Sequence, residues 1–273
     1  MTVPNIELNN GVLIPQLGFG VFQVPPAETK ATVKTALEIG YRHIDTARIY
    51  DNEGNVGEAI TESGIAREEL FITTKVWNDD QGYDSTLAAF ERSIKRLDLE
   101  YLDLFLIHWP TPAKDTYVDT WKALERLYAD KRVRAIGVSN FRTQDLQRLL
   151  DLGVTVPAIN QIELHPELVQ RELREFHAKH EIATEAWSPL AQGKVFSEKA
   201  IRNIAENRGK SPAQIVIAWH LALGNVVIPK SVTPSRIAEN LDVFDISLSD
   251  DDIASITALD IGSRIGPDPA KFN

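Results

Sequence analysis

A closed (β/α)8 barrel of the TIM type is the fold this sequence predicts, on three observations. Apolar and amphipathic segments alternate eight times along the 273 residues, with a period of about 30 residues, as successive βαβ units require. The apolar runs have strand length and are rich in Val, Ile, Leu and Phe, as expected of parallel strands covered on both faces. Seven of the eight end at or beside a side chain able to bind or react: Asp45, Lys75, His108, Ser139 with Asn140, Gln161, Trp187, and Lys230 with Ser231. Alternation alone also allows a doubly wound sheet. There the reactive ends would be strung along an edge, whereas a barrel brings them to one face. One converging pocket is the better reading.

Asn10-Gly11, between Ile6–Leu8 and Val12–Ile14, signals a two-residue hairpin ahead of the barrel. The predicted strands and helices then alternate: Gln16–Val21 and Ala27–Ile39, Tyr41–Asp45 and Asn55–Ser63, Leu70–Lys75 and Tyr83–Leu97, Leu102–His108 and Tyr117–Asp130. The second half continues with Ala135–Ser139 and Thr143–Leu150, Ala158–Glu163 and Leu168–His180, Ile182–Trp187 and Pro212–Leu223, Asn225–Pro229 and Pro234–Val243. Gly40 marks the end of the first helix. Ser211-Pro212 reads as an N-cap followed by proline at the first helical position, and Gly224 follows the last turn. Ser249 with Asp252 caps a further helix outside the repeat, and Asp250-Asp251-Asp252 suits its positive end better than a calcium site. No linker or low-complexity tract divides the chain, so one domain spanning 1–273 is expected.

Composition narrows the function. Apolar residues make up 43% and charged ones 25%, ordinary for a globular protein, and there is no cysteine. That excludes disulfides, thiolate nucleophiles and cysteine-ligated zinc or iron–sulfur centres. A net charge of −10 argues against a broad nucleic-acid footprint, while leaving room for a local cationic cluster. The start lacks a secretory pattern. No apolar run reaches the roughly 18–20 residues of a membrane helix. A cytoplasmic location is the expectation.

Asp45, Tyr50, Lys75 and His108 form the chemical set. A tyrosine, with an ordinary pKa of about 10, is a reluctant acid near neutrality. A neighbouring ammonium favours the phenolate, and a carboxylate beside the lysine keeps the lysine charged. A histidine nearby can orient a carbonyl. Together they could protonate an oxygen as charge develops on it, which suits carbonyl reduction by hydride. Taken singly, each has a plainer reading: a helix-capping Asp, a scaffold Lys or Tyr, a hydrogen-bonded core His. Other signals fail outright. Gly18-Phe19-Gly20 opens like a dinucleotide fingerprint but meets Gln23 at the third glycine position. Gly137-Val138-Ser139-Asn140-Phe141 lacks the closing glycine of a nucleophile elbow. His177 and His180, without a carboxylate pattern, read as surface residues rather than metal ligands.

The local contexts raise the set above its plain readings. Gly40-Tyr41-Arg42-His43-Ile44-Asp45-Thr46-Ala47-Arg48-Ile49-Tyr50-Asp51-Asn52-Glu53 resembles the first signature of the aldo-keto reductase family. Ile228-Pro229-Lys230-Ser231, followed by Arg236 and Asn240, resembles its C-terminal cofactor signature. Between them Ile72–Trp77, His108-Trp109-Pro110, Gly137–Phe141 and Asn160–Pro166 match in order, so the resemblance covers essentially the whole chain. It is most similar to short bacterial members, of the 2,5-diketo-D-gluconate reductase type. The resemblance implies Tyr50 as proton donor, Lys75 lowering its pKa, Asp45 holding Lys75, and His108 orienting the carbonyl. It implies NADPH/NADP+ laid across the C-terminal face without a Rossmann domain. Ser139, Asn140 and Gln161 would hold the carboxamide, and Trp187, beside Ser188 and Leu190, would stack on the nicotinamide. Lys230, Ser231 and Arg236 would take the 2′-phosphate end, with Glu239 and Asn240 near the adenine. A guanidinium offers paired donors to phosphate, so Arg236 favours NADPH over NADH, unless it merely decorates a helix face.

Phe22, Ile49, Trp77 and Trp109 are expected at the pocket mouth, suiting a carbonyl compound with an apolar or planar body. Polar keto-sugars, dicarbonyls and keto-acids stay within range. The tail after the last helix is short, which puts tight specificity in doubt. An NADPH-dependent reductase of aldehydes and ketones, acting as a monomer on a small-molecule substrate, is the main reading. No metal, nucleic-acid or membrane partner is expected. The alternatives are an NADPH-binding regulatory or redox-sensing subunit with little turnover, and a barrel enzyme using Lys230 as a Schiff-base lysine.

Overall fold

A computed structural model describes residues 3–273. The chain opens with an antiparallel hairpin of β1 (Asn5–Glu7) and β2 (Leu13–Pro15), with Ile6 opposite Ile14. Its turn is one residue longer than expected. Gly11 N donates to Leu8 O at 2.8 Å, and Gly11 itself has φ of +80°, beyond the two central residues Asn9 and Asn10. That is a tight turn closed by a left-handed third residue, a position glycine fills without strain. Leu8 and Ile14 pack with Phe71, Leu104, Leu106, Ile159 and Val226, so the hairpin plugs the N-terminal mouth of the barrel.

The barrel strands are β3 (Phe19–Gly20), β4 (His43–Asp45), β5 (Phe71–Val76), β6 (Leu102–Ile107), β7 (Val133–Ser139), β8 (Ile159–Glu163), β9 (Ala183–Trp187) and β10 (Val226–Val227). They pair in parallel in chain order. Leu17 bridges Val227, with Gly18 N donating to Val227 O and Val227 N to Gln16 O, both at 2.9 Å. The ring is thereby closed, which removes exposed sheet edges. The predicted first and last strands are longer than the paired segments. Pro229 has no N–H, so the ladder cannot run through it.

Around the barrel lie α1 (Pro26–Ile39), α2 (Glu53–Ser63), α3 (Tyr83–Leu97), α4 (Tyr117–Ala129), α5 (Thr143–Asp151), α6 (Arg171–Lys179), α7 (Lys199–Arg208), α8 (Pro212–Ala222), α9 (Pro234–Leu241) and α10 (Asp250–Thr257). Ser211 and Gln214 form a reciprocal capping box at the start of α8, as do Ser249 and Asp252 at α10. The helix α7 was not expected. Its buried stripe is only Ile201, Ile204 and Ala205, too narrow to stand out in a polar segment. The α6 helix starts three residues later than expected, because His165 and Leu168 first form a small backbone bridge. His177 on that helix is not on the surface. It is fully buried, with Nε2 3.0 Å from Asn160 Nδ2 and Nδ1 2.9 Å from Thr184 Oγ1, and burial pushes its pKa down to about 3. Among the described residues no helix is long and apolar enough to cross a membrane.

Candidate active site

The C-terminal strand ends do converge. The β4 strand ends on Asp45, β5 carries Lys75 at its penultimate position, and His108 comes directly after β6. Lys75 is completely buried, and its ammonium donates to Asp45 Oδ1 at 2.7 Å, Asp45 Oδ2 at 2.8 Å and Thr46 O at 2.9 Å. Each of its three ammonium N–H groups thus has an acceptor, which offsets the cost of burying the side chain.

Tyr50 closes a short 3-10 turn, Arg48–Tyr50, in the loop after β4. Two neighbours that carried no role in the sequence hold that loop. Asn52 accepts from Thr46 Oγ1 at 2.8 Å and donates to Val21 O at 3.1 Å. Glu53, also buried, accepts from Thr74 Oγ1 at 2.6 Å and from Arg96 Nε at 2.7 Å. The tyrosine ring thereby sits 5.3 Å from Lys75 Nζ and 5.7 Å, edge-on, from the His108 ring.

The electrostatics depart from expectation in one respect. The Tyr50 phenol is half-buried yet held well above its ordinary pKa, by desolvation first and then by the charges of Asp45 and Glu185. Burial and these two carboxyls outweigh the lowering expected from Lys75, whose three N–H groups go to Asp45 and Thr46 rather than to the phenol. Burial, with help from Lys75, pushes His108 well below its usual value, so its imidazole is neutral. The resting state therefore pairs a protonated phenol with a neutral histidine.

Sequence reasoning missed Glu185, a fully buried carboxyl on β9. Gln161 Nε2 donates both to Asp45 Oδ2 and to Glu185 Oε2, each at 2.8 Å. Burial and the nearby Asp45 push the Glu185 pKa up to about 8. A Glu inside a predicted strand was its only sequence signal.

Above this network opens a cavity of about 1270 Å³, lined by every predicted site residue except Lys75, which lies beneath it. In its middle, Ser139, Asn140, Gln161 and Trp187 interlock. Ser139 Oγ donates to Gln161 O, Asn140 Nδ2 donates to His108 O and Ser139 Oγ, and Trp187 Nε1 donates to Asn140 Oδ1. The backbone here is unusual, with φ of +63° at Asn140 and +49° at Ser188. Such left-handed residues cluster at functional sites. Leu190 borders the same stretch. One end of the cavity holds Lys230, Ser231, Arg236, Glu239 and Asn240 beside the N-terminus of α8 at Ser211–Ala213. The other end is aromatic. Phe22 lies 5.0 Å from Tyr50, and Trp77 lies 5.1 Å from His108, ring to ring, with Trp109 and Ile49 beside them. The short tail after the last helix lies across this end. Phe272 packs 4.6 Å from Trp109 and 6.1 Å from Trp77, between ring centres.

A barrel with this polar and aromatic crown matches the model of the Aldo/keto reductase family over residues 16–261. The chain belongs to the aldo/keto reductase family. It is 56% identical to an aldo-keto reductase of Mycobacterium sp. (strain KMS), across 100% of this chain and 99% of that one. It is 53% identical to the methylglyoxal reductase DkgA of Escherichia coli (strain K12), across 98% and 97% of the two chains. A solved Gox0644 variant in complex with NADPH superposes with a TM-score of 0.96, at 50% identity and full coverage of both chains. The reductase is thus an NADP-dependent oxidoreductase acting on carbonyl compounds.

Proposed function

We propose that this reductase takes its catalytic proton from Tyr50 and acts on short, uncharged dicarbonyl compounds such as methylglyoxal. The observation that carries the proposal is the make-up of the cavity. Among the described residues its only lining Lys and Arg side chains are Lys230 and Arg236, at the end away from the aromatic box of Trp77, Trp109 and Phe272. An aromatic end without a cation suits a small flat carbonyl better than a keto-acid, whose carboxylate would lack a partner. The methylglyoxal reductases among its relatives support the same reading.

The residues fit NADPH. In the middle of the cavity the amide hydrogens of Asn140 and Gln161 are already engaged, so acceptors are what remain, as the NH2 of a carboxamide requires. Ser139, Asn140 and Gln161 would hold that group, and Trp187, with Ser188 and Leu190, would flank the nicotinamide. Lys230, Ser231 and Arg236 would meet the 2′-phosphate, and Glu239 and Asn240 the adenine. When bound, the reduced nicotinamide supplies the hydride.

The chain's own groups do the rest. Neutral His108 donates a hydrogen bond to the carbonyl oxygen and so aims it at Tyr50. The phenol keeps its proton until negative charge grows on that oxygen, and then yields it. Lys75, 5.3 Å from the ring, stabilises the phenolate left behind, and Asp45 holds Lys75 in place. The same proposal takes the enzyme as a single-domain monomer over residues 1–273, located in the cytoplasm.

The test is a substrate panel. Methylglyoxal, glyoxal, a keto-acid and a keto-sugar are offered with NADPH, and kcat/KM is compared. The dicarbonyls should lead; a keto-acid as best substrate would overturn the proposal.

A further inference from the structure

The tail that covers the aromatic end is held by a residue the mechanism does not use. Glu163, the last residue of β8, is completely buried. Its Oε1 accepts from Ile265 N and stands 3.1 Å from His165 Nε2, while its Oε2 accepts from Gly266 N at 3.2 Å, with Arg264 Nη1 3.7 Å away. Burial alone would raise this carboxyl, but His165 and the two backbone N–H groups outweigh it and leave its pKa below the ordinary value. Two consecutive main-chain donors from a segment a hundred residues away thus meet one buried charge.

The course of the chain beyond Glu163's two partners gives such a latch its use. A Cβ at Gly266 would fall 2.4 Å from a ring carbon of Trp187, so the strap presses directly on that indole and only glycine fits there. From Gly266 the strap crosses to the aromatic end, where Phe272 packs on Trp109 and Trp77. Asn273 Oδ1 accepts from Ala113 N at 2.7 Å, which pins the far end to the loop after β6. The strap is therefore fastened at both ends, with the substrate wall hanging between.

We propose that Glu163 is a specificity-setting positioning residue: its buried carboxylate latches the strap 264–273 over the cavity, so that Phe272 caps the pocket and restricts it to short carbonyl compounds. The inference rests on the aromatic end being the substrate end. It assigns the discrimination to a side chain that touches neither substrate nor cofactor, and to a tail whose shortness had argued for looseness.

The experiment compares wild type, Glu163→Gln, a chain ending at Ser263, and that truncation carrying Glu163→Gln. A glutamine keeps the shape but lacks the charge, and it turns one donor toward the strap's N–H groups. Glu163→Gln should raise KM for methylglyoxal about tenfold with kcat changed less than about threefold, roughly the loss of one charge-assisted hydrogen bond. KM for a six-carbon aldehyde should stay level or fall. Truncation should give the same switch, and adding Glu163→Gln to it should change nothing more, because coupled residues do not add. Independent multiplication of the two effects would overturn the proposal, as would an unchanged KM in Glu163→Gln. Hydrogen exchange at the Ile265 and Gly266 amides reads the latch without turnover and should speed up in Glu163→Gln. Faster exchange in an enzyme that ignores dicarbonyls sinks the substrate reading alone; normal turnover with unchanged exchange sinks the latch alone. Should Glu163→Gln fail to fold, Gly266→Ala displaces the strap from Trp187 instead and must reproduce the KM switch.

Discussion

Replacing Lys75 by Met strips the buried Asp45 carboxylate of its countercharge while keeping nearly the same side-chain length. Lys75 satisfies both Asp45 oxygens and Thr46 O, and Gln161 is the one other side chain that donates to Asp45 among the described residues. Breaking a buried pair from one side costs about 3–5 kcal/mol, because the remaining charge keeps its desolvation penalty. Lys75→Met should therefore shift the urea midpoint down by roughly 1–2 M for a slope of about 3 kcal/mol per molar. The double variant Lys75→Met with Asp45→Asn removes the stranded charge and should recover roughly half of the loss. Equilibrium urea unfolding, followed in parallel by tryptophan fluorescence and far-ultraviolet dichroism, tests both claims and whether the transition is two-state. Strictly additive losses in the double variant would refute the buried-pair reasoning. So would a loss below about 1 kcal/mol in Lys75→Met, which is the range of an exposed pair.

Arg236→Ala should weaken NADPH binding by about tenfold or more and leave NADH nearly unaffected, because only the former presents the 2′-phosphate; titrations with both cofactors check this, and equal losses would reassign Arg236. Glu185→Gln should stabilise the protein increasingly as pH rises from about 5 to 8. The folded-state pKa of Glu185 is raised to about 8, so wild-type stability falls above the unfolded carboxyl's value and is lost through that window, at about 1.4 kcal/mol per pH unit for one proton. Urea melts of the two proteins at several pH values should diverge; parallel curves would mean that Glu185 is ionised in the fold.

The barrel and the convergence of the candidate residues were legible because both rest on local pattern. Buried parallel strands must be apolar along their length, and their C-terminal ends must change character abruptly, so Asp45, His108 and Trp187 stand out at those breaks. What stayed hidden depends on distant partners. His177 has the look of a surface histidine until Asn160 and Thr184 are seen to satisfy its ring. Gly11 lengthens the hairpin turn through its own left-handed φ, which the Asn10-Gly11 pair does not disclose. Glu185 acquires its meaning from Asp45 across the barrel, and that same pair of carboxyls, with burial, outweighs the lowering of Tyr50 expected from Lys75. The tail could be read only by its length, which put tight specificity in doubt; that Gly266 meets Trp187 and Phe272 meets Trp109 depends on where it lands.

The central claim is that Tyr50 protonates the carbonyl oxygen within this cavity. Tyr50→Phe removes one oxygen and leaves the ring that packs against Phe22 and His108 in place. The decisive measurement is NADPH consumption with methylglyoxal, alongside NADPH affinity, for wild type and Tyr50→Phe. General acid catalysis contributes typically about 10²–10⁴-fold, so kcat should fall by about that much while NADPH binds as before. Turnover by Tyr50→Phe within about threefold of wild type would contradict the account.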